Sequence, residues 1–154
     1  MLRSGIALTH WIAWWLSVAA LHFVWEMTQG AWYEGMNELP FARALALCSR
    51  ATVGDVIITA IAFMAAAALT RSRQWPFGEK AVSGSAAFLA TGLAITIAYE
   101  IYALSTGRWT YGHRMPLILG LGLLPLLQWI LLPPIEIALL RLIWLRGDHR
   151  MMRR

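Results

Sequence analysis

His22 and Glu26 stand four residues apart in Ala20-Leu-His22-Phe-Val-Trp25-Glu26-Met-Thr-Gln29. That spacing puts an imidazole and a carboxyl on one face of a helix, where the pair can give a proton to a bound molecule and take one back. The stretch around them is apolar enough to lie in a membrane. An ionisable side chain is expensive there, and it is a functional hypothesis by default. Asp55, Glu100 and Gln128 are the further polar residues set in apolar runs. Each also has a structural reading. Asp55 follows Gly54 and would suit a helix N-terminus. Glu100 would pair with Arg108 or Arg114, and His22 would donate to a carbonyl across a helix contact. Glu26 is the hardest to explain by structure alone.

The elements that must position these residues follow from composition. Of 154 residues, 59% are hydrophobic and 14% charged, where a soluble domain carries roughly a quarter charged. Mean hydropathy is +0.58. The expectation is an all-α integral membrane protein, a single domain over residues 1–154. Four stretches suit a hydrocarbon core that takes about 20 helical residues: about 7–29, 53–69, 81–104 and 116–144. The beginning looks like a signal peptide, with Arg3 ahead of an apolar run. That run continues past Ala19 through Trp25, too long for a signal core, so it is expected to be the first span. A short interfacial helix is expected over Phe41–Ser49. Pro133-Pro134 should kink or interrupt the last span, and Glu136 should meet the cytoplasmic interface near Arg141.

Nine Lys and Arg fall on the side of the termini and second loop, four on the other. The positive-inside rule then puts both termini in the cytoplasm, in what is expected to be a bacterial inner membrane. The same rule accounts for the net charge of +5, so no nucleic-acid partner is expected. One cysteine, Cys48, leaves no intrachain disulfide and no cysteine metal motif.

In a four-transmembrane-helix bundle of this topology, all four helices bring a polar group to the outer half. Gln128 would lie about twelve residues into the last span, roughly 18 Å down. Several buried polar groups at one level imply a shared pocket, since each would otherwise be unpaired. Thr59 lies one turn below Asp55 and Thr96 one turn below Glu100. Burial disfavours charge and an opposite neighbour restores it, so such a pocket can hold a proton ready for a hydrophobic substrate. Trp25, Trp129, Tyr99 and Tyr102 are candidate aromatic faces for a developing cation.

The segment Leu21-His22-Phe-Val-Trp-Glu26…Trp32-Tyr33-Glu34 resembles the His-x-x-x-Glu helix of the emopamil-binding-protein-like (EXPERA) membrane family, which includes the sterol Δ8–Δ7 isomerases and non-catalytic binders. Thr52-Val53-Gly54-Asp55 is similar to the start of the next helix. Tyr99-Glu100-Ile-Tyr102 resembles the acidic end of the one after. Gln128-Trp129-Ile-Leu-Leu-Pro133 resembles the last. Order and spacing hold from about residue 20 to 140. Position 55 is Asp where the isomerases carry Glu, position 128 is Gln rather than Asn, and their additional N-terminal helix has no counterpart. The resemblance implies a four-helix core with a lipid-accessible cavity. It implies proton transfer at His22, Glu26 and Asp55, with Trp129 steadying a cation. The Trp109-Thr-Tyr111…Pro116 loop also resembles the membrane lycopene cyclase domain.

The leading expectation is therefore a cofactor-independent double-bond isomerase or cyclase acting on a sterol-like or isoprenoid lipid. His22, Glu26 and Asp55 would be catalytic. Trp25, Thr59, Tyr99, Glu100, Gln128 and Trp129 would bind substrate. The alternative is a non-catalytic lipid- or sterol-binding protein, or an accessory subunit of a membrane complex, with membrane lipids and a second copy or larger assembly as partners. An iron or manganese site at His22, Glu26, Asp55 and Glu100 is a weaker reading, since the cluster has one His and no Glu-x-x-His pair. No metal or cofactor is expected.

Overall fold

The computed structural model describes residues 8–151, with side chains through Leu145. Four helices dominate: α1 (Leu8–Gln29), α2 (Phe41–Thr70), α3 (Ala81–Ser105) and α4 (Leu123–Met151). Three of them are long and apolar enough to cross a membrane: α2, α3 and α4, the last over Leu123–Leu145. α1 packs between α2 and α4, and α3 closes the opposite corner against the same two. Neighbours run antiparallel. Trp14 meets Phe63 at 5.5 Å between ring centroids near one end of α1, while the Cys48 thiol reaches the Glu26 carbonyl near the other.

Each helix buries one narrow stripe at helical spacing. On α1 it is Trp14, Val18, His22, Glu26 and Gln29; on α3 it is Gly84, Phe88, Gly92, Thr96 and Glu100. Both stripes change from apolar to polar along their length, and they change at the same end of the bundle. The dry half is built from Trp14, Val18, Ala62, Phe63, Ala66, Trp75, Phe88, Ile137 and Leu140. Two α3 glycines let indoles approach the helix backbone: Trp75 lies over Gly84 and Trp129 over Gly92. Between helices in lipid, such close packing replaces the hydrophobic effect as the cohesive force.

Three elements differ from the sequence expectation. The short interfacial helix does not stand alone: α2 begins at Phe41 and runs unbroken for 30 residues. Arg43 and Arg50 lie within it, because no proline or glycine pair separates the two stretches. At 1.5 Å per residue α2 is about 45 Å long, some 15 Å more than a hydrocarbon core. The last helix starts at Leu123 rather than near Pro116. Residues before it form a small antiparallel hairpin, β1 (Leu117–Ile118) and β2 (Leu121–Gly122). Its turn, Leu119-Gly120, has φ of 51° and 82°, the doubly left-handed geometry that tight hairpins use. Finally, α4 passes through Pro133 and Pro134 as one helix.

At the polar end the loops lock together. Tyr33 and Tyr111 form an isolated antiparallel bridge, with Glu34 N–H donating to the Thr110 carbonyl and Gly112 N–H to that of Trp32.

Candidate functional site: a buried carboxyl–imidazole network

His22 is fully buried and bonded through both ring nitrogens. Its Nε2 lies 2.8 Å from Glu136 Oε1, with Thr59 Oγ1 at 3.4 Å. Its Nδ1 meets Gln128 Nε2 at 2.9 Å and Asp55 Oδ2 at 3.5 Å. The same Gln128 amide donates to Asp55 Oδ2 at 2.9 Å. One turn along α1, Glu26 accepts from Gln29 Nε2 at 2.5 Å and lies within bonding reach of Asp55 and Gln128. Gln29 in turn accepts from Trp25 Nε1 at 3.0 Å. Three helices thus contribute to one continuous network: α1 with His22, Glu26 and Gln29; α2 with Asp55 and Thr59; α4 with Gln128 and Glu136.

The aromatic wall is Trp129. Its indole is fully buried, sits in the notch at Gly92, and its centroid is 5.7 Å from that of His22. Its Nε1 and the Thr96 hydroxyl, both buried, have no partner among the described residues.

A second cluster closes the polar end. Glu100 accepts from the Tyr111 hydroxyl and from Trp109 Nε1 at 3.3 Å, and Tyr33 is within bonding reach. Burial pushes the phenols of Tyr33 and Tyr111 above the ordinary tyrosine range, so both stay protonated, and Tyr111 donates to Glu100. Tyr33 also feels the charges of Glu26 and Asp55, across the space between this cluster and the first.

The expected residues therefore fall into three groups. His22, Glu26, Asp55, Thr59, Gln128 and Trp129 come together. Glu100 belongs to the outer cluster, tied to Trp109 and Tyr111 rather than to Arg108 or Arg114. Tyr99 and Tyr102 face outward, 44% and 46% exposed, and line no wall beside His22. Trp25 is half-buried and serves the network by orienting Gln29. Asp55 is not a helix cap, since α2 starts fourteen residues before it. Gln128 is five residues into α4, not twelve, because the hairpin takes up the residues ahead of it.

Glu136 is the largest correction. Its place in the chain predicts the interface near Arg141. Instead it is fully buried against His22, its carbonyl accepts from Trp14 Nε1 at 2.9 Å, and Arg141 donates to the Pro76 carbonyl. The signal was present in the spacing: Gln128, Leu132 and Glu136 fall on one helical face. Pro133-Pro134 between them predict a kink or an interruption, and the helix is not interrupted there.

Among the described residues no three His, Cys, Asp or Glu side chains are grouped to hold a metal ion. His22 meets its two carboxylates on opposite ring edges, which leaves no common coordinating point. A groove of about 200 Å³ lies between α3 and α4, lined by Ser85, Leu89, Pro133, Pro134, Ile137 and Arg141. No residue of the network lines it.

The fold and site define a helical bundle with a buried ionisable network. Comparison with protein-family models, curated proteins and solved structures gives no match.

Proposed function

We propose that this protein is an intramembrane acid–base catalyst that moves a double bond in a sterol-like or isoprenoid lipid. The observation that carries the reading is the arrangement around His22. Two carboxyls from different helices, Glu26 and Asp55, adjoin each other beside an imidazole and a buried indole. Adjacent carboxyls can share one proton and exchange roles as acid and base. In the reaction one carboxyl protonates an alkene carbon, Trp129 steadies the cation, and the other removes a proton from a neighbouring carbon. The bond shifts with no net oxidation, so no cofactor is consumed. Glu26 and Asp55 are the more exposed members of the network, at 9% and 13%, and so the ones a substrate meets first.

α1 is the fourth span in this reading. Its outward face, Leu8, Ile12, Leu16 and Val24, is exposed and apolar at helical spacing, as a lipid-facing stripe is. The basic excess supports a topology with both termini in the cytoplasm. One observation favours the second reading, a lipid-binding protein or accessory subunit: the α3–α4 groove lies away from the carboxyls.

The test is turnover of sterol and isoprenoid alkenes by the purified protein in nanodiscs, with Glu26→Gln and Asp55→Asn beside it. Each variant is expected to lose about 10²–10⁴-fold in rate, the usual contribution of a positioned acid or base. Wild-type rates in Glu26→Gln would end the catalytic reading. A co-purifying lipid recovered unchanged would favour binding.

A further inference from the structure

The polar network has a direction, and one indole sets it. Trp25 Nε1–H can only donate, so the Gln29 atom it meets at 3.0 Å is the amide oxygen. Gln29 then turns its NH₂ toward Glu26 Oε1, at 2.5 Å, and Gln128 Oε1, at 3.4 Å. Gln128 in turn presents its NH₂ to Asp55 Oδ2 and to His22 Nδ1, both at 2.9 Å. Nδ1 must accept. The proton of a neutral imidazole therefore sits on Nε2, where Glu136 Oε1 receives it at 2.8 Å.

Glu136 is thus more than a packing residue. Its other oxygen, Oε2, is buried and meets no partner among the described residues, so the carboxyl has capacity to hold a proton without giving up His22. The titratable groups facing the imidazole are Glu136 from α4 and Asp55 from α2; Glu26, one turn along α1, meets Asp55 and the two glutamines instead. At this level α3 supplies Gly92 and Thr96, and its nearest acid is Glu100, already held by Trp109 and Tyr111.

We propose that Glu136 is the inner terminus of a proton relay that runs through both nitrogens of His22. Nδ1 has one lone pair, so the Gln128 N–H must first turn off it and Asp55 Oδ2 must close from 3.5 Å to hydrogen-bond distance. As Asp55 Oδ2 then gives its proton to Nδ1, Nε2 gives its own to Glu136 Oε1. An O–H bond breaks at Asp55 and an N–H bond forms at Nδ1; an N–H bond breaks at Nε2 and an O–H bond forms at Glu136. The imidazole stays neutral throughout, and the negative charge moves from Glu136 to Asp55. The resulting Nδ1–H faces the NH₂ of Gln128, donor against donor, so the locked amide returns the proton to Nε2 when Asp55 can accept it. Glu136 acts as a positioning residue and proton store, reaching substrate only through His22. Its purpose rests on the acid–base reading above; its geometry does not.

The test is ¹⁵N NMR of histidine-labelled full-length protein in nanodiscs, with His22 assigned through His22→Gln. The expected resting state is a protonated Nε2 and a bare Nδ1. Glu136→Leu and Trp25→Phe should each turn this single tautomer into a mixture, whereas Glu136→Gln, whose carbonyl still accepts, should keep it. A protonated-carboxyl infrared band formed on acidification should be lost in Glu136→Gln. With a substrate in hand, the same variant should lower kcat about 10²-fold at unchanged KM. A resting Nδ1–H tautomer, a tautomer untouched by Trp25→Phe, or an infrared band intact in Glu136→Gln would overturn the relay. Trp25 is half-buried, so its variant keeps the test decisive even if Glu136→Leu fails to fold. The spectroscopic readouts need no substrate: a confirmed tautomer without turnover ends the isomerase reading alone, and turnover with the wrong tautomer ends the relay alone.

Discussion

Replacing Gly92 by Ala should displace the indole that packs beside His22. A Cβ at this position would stand 2.0 Å from Trp129 Cζ3 and 2.1 Å from Cε3, where ordinary contact begins at 3.4 Å. The indole is fully buried, so moving it means moving the side chains packed around it. Overpacking of this kind costs about 1–3 kcal/mol, and a shift of more than 1 Å in an enclosed ring belongs at the upper end. Alanine returns about 1 kcal/mol of helix propensity over glycine, so the expected net loss is about 2 kcal/mol. Gly54→Ala is the matched control. It too lies inside a helix, nothing stands within 4 Å of its Cβ, and it should gain the propensity alone. The two identical replacements should therefore differ by about 3 kcal/mol, or roughly 6–12 °C in unfolding midpoint for a chain of this size. Thermal unfolding in detergent, followed by circular dichroism, measures the gap. Lipid turnover or retention should fall in Gly92→Ala and hold in Gly54→Ala. Coincident midpoints would refute the notch-and-indole account, and with it the claim that Trp129 is fixed beside His22 by α3.

Three further outcomes are expected. In an alkaline titration followed by tyrosinate absorbance, Tyr33 and Tyr111 should remain protonated beyond the ordinary phenol range near pH 10, and Tyr33→Phe or Tyr111→Phe should leave the ordinary step unchanged. Because folding raises these two values, their contribution to stability is complete below the unfolded value and is lost as pH rises above it; a midpoint rising with pH in that range would contradict this. Leu119→Asn should stabilise the hairpin by about 1 kcal/mol, since a left-handed residue costs roughly 1–2 kcal/mol. The Leu119 side chain is 99% exposed and gives up no packing; an unchanged midpoint would show that its φ of 51° carries no strain. Trp14→Phe should cost at least the roughly 0.5–1.5 kcal/mol that a single hydrogen bond contributes, since it removes the indole donor from the Glu136 carbonyl while the helix ladder keeps its own, read as a lower unfolding midpoint.

Much of the site was legible because it obeys local rules. His22 and Glu26 share a face by spacing alone, and apolar length brings Asp55 and Gln128 to the same end of a four-helix bundle. Trp129 follows Gln128 directly. Length and composition also determine that α2, α3 and α4 can cross a membrane. Hydropathy treats α1 less clearly, since its four Trp and two His lower its apolar score even though its outward face is a clean aliphatic stripe.

What the sequence left undecided are distances and depths, which depend on how helices are packed rather than on where they are in the chain. No local signal ends the Phe41 helix before Val53, so only the folded chain shows that Asp55 sits in a helix interior. Tight turns before α4 are fixed by φ values that Leu119 does not advertise, and they move Gln128 nearer the helix start. Glu100 reads as a member of the same pocket until Trp109 and Tyr111 fold over it. Glu136 is the plainest case: eight residues beyond Gln128 and past two prolines, it joins the network only because α1 and α4 run antiparallel and His22 bridges both. Residue type and spacing determined which groups could carry a proton. Tertiary packing alone decided which of them are close enough to exchange it.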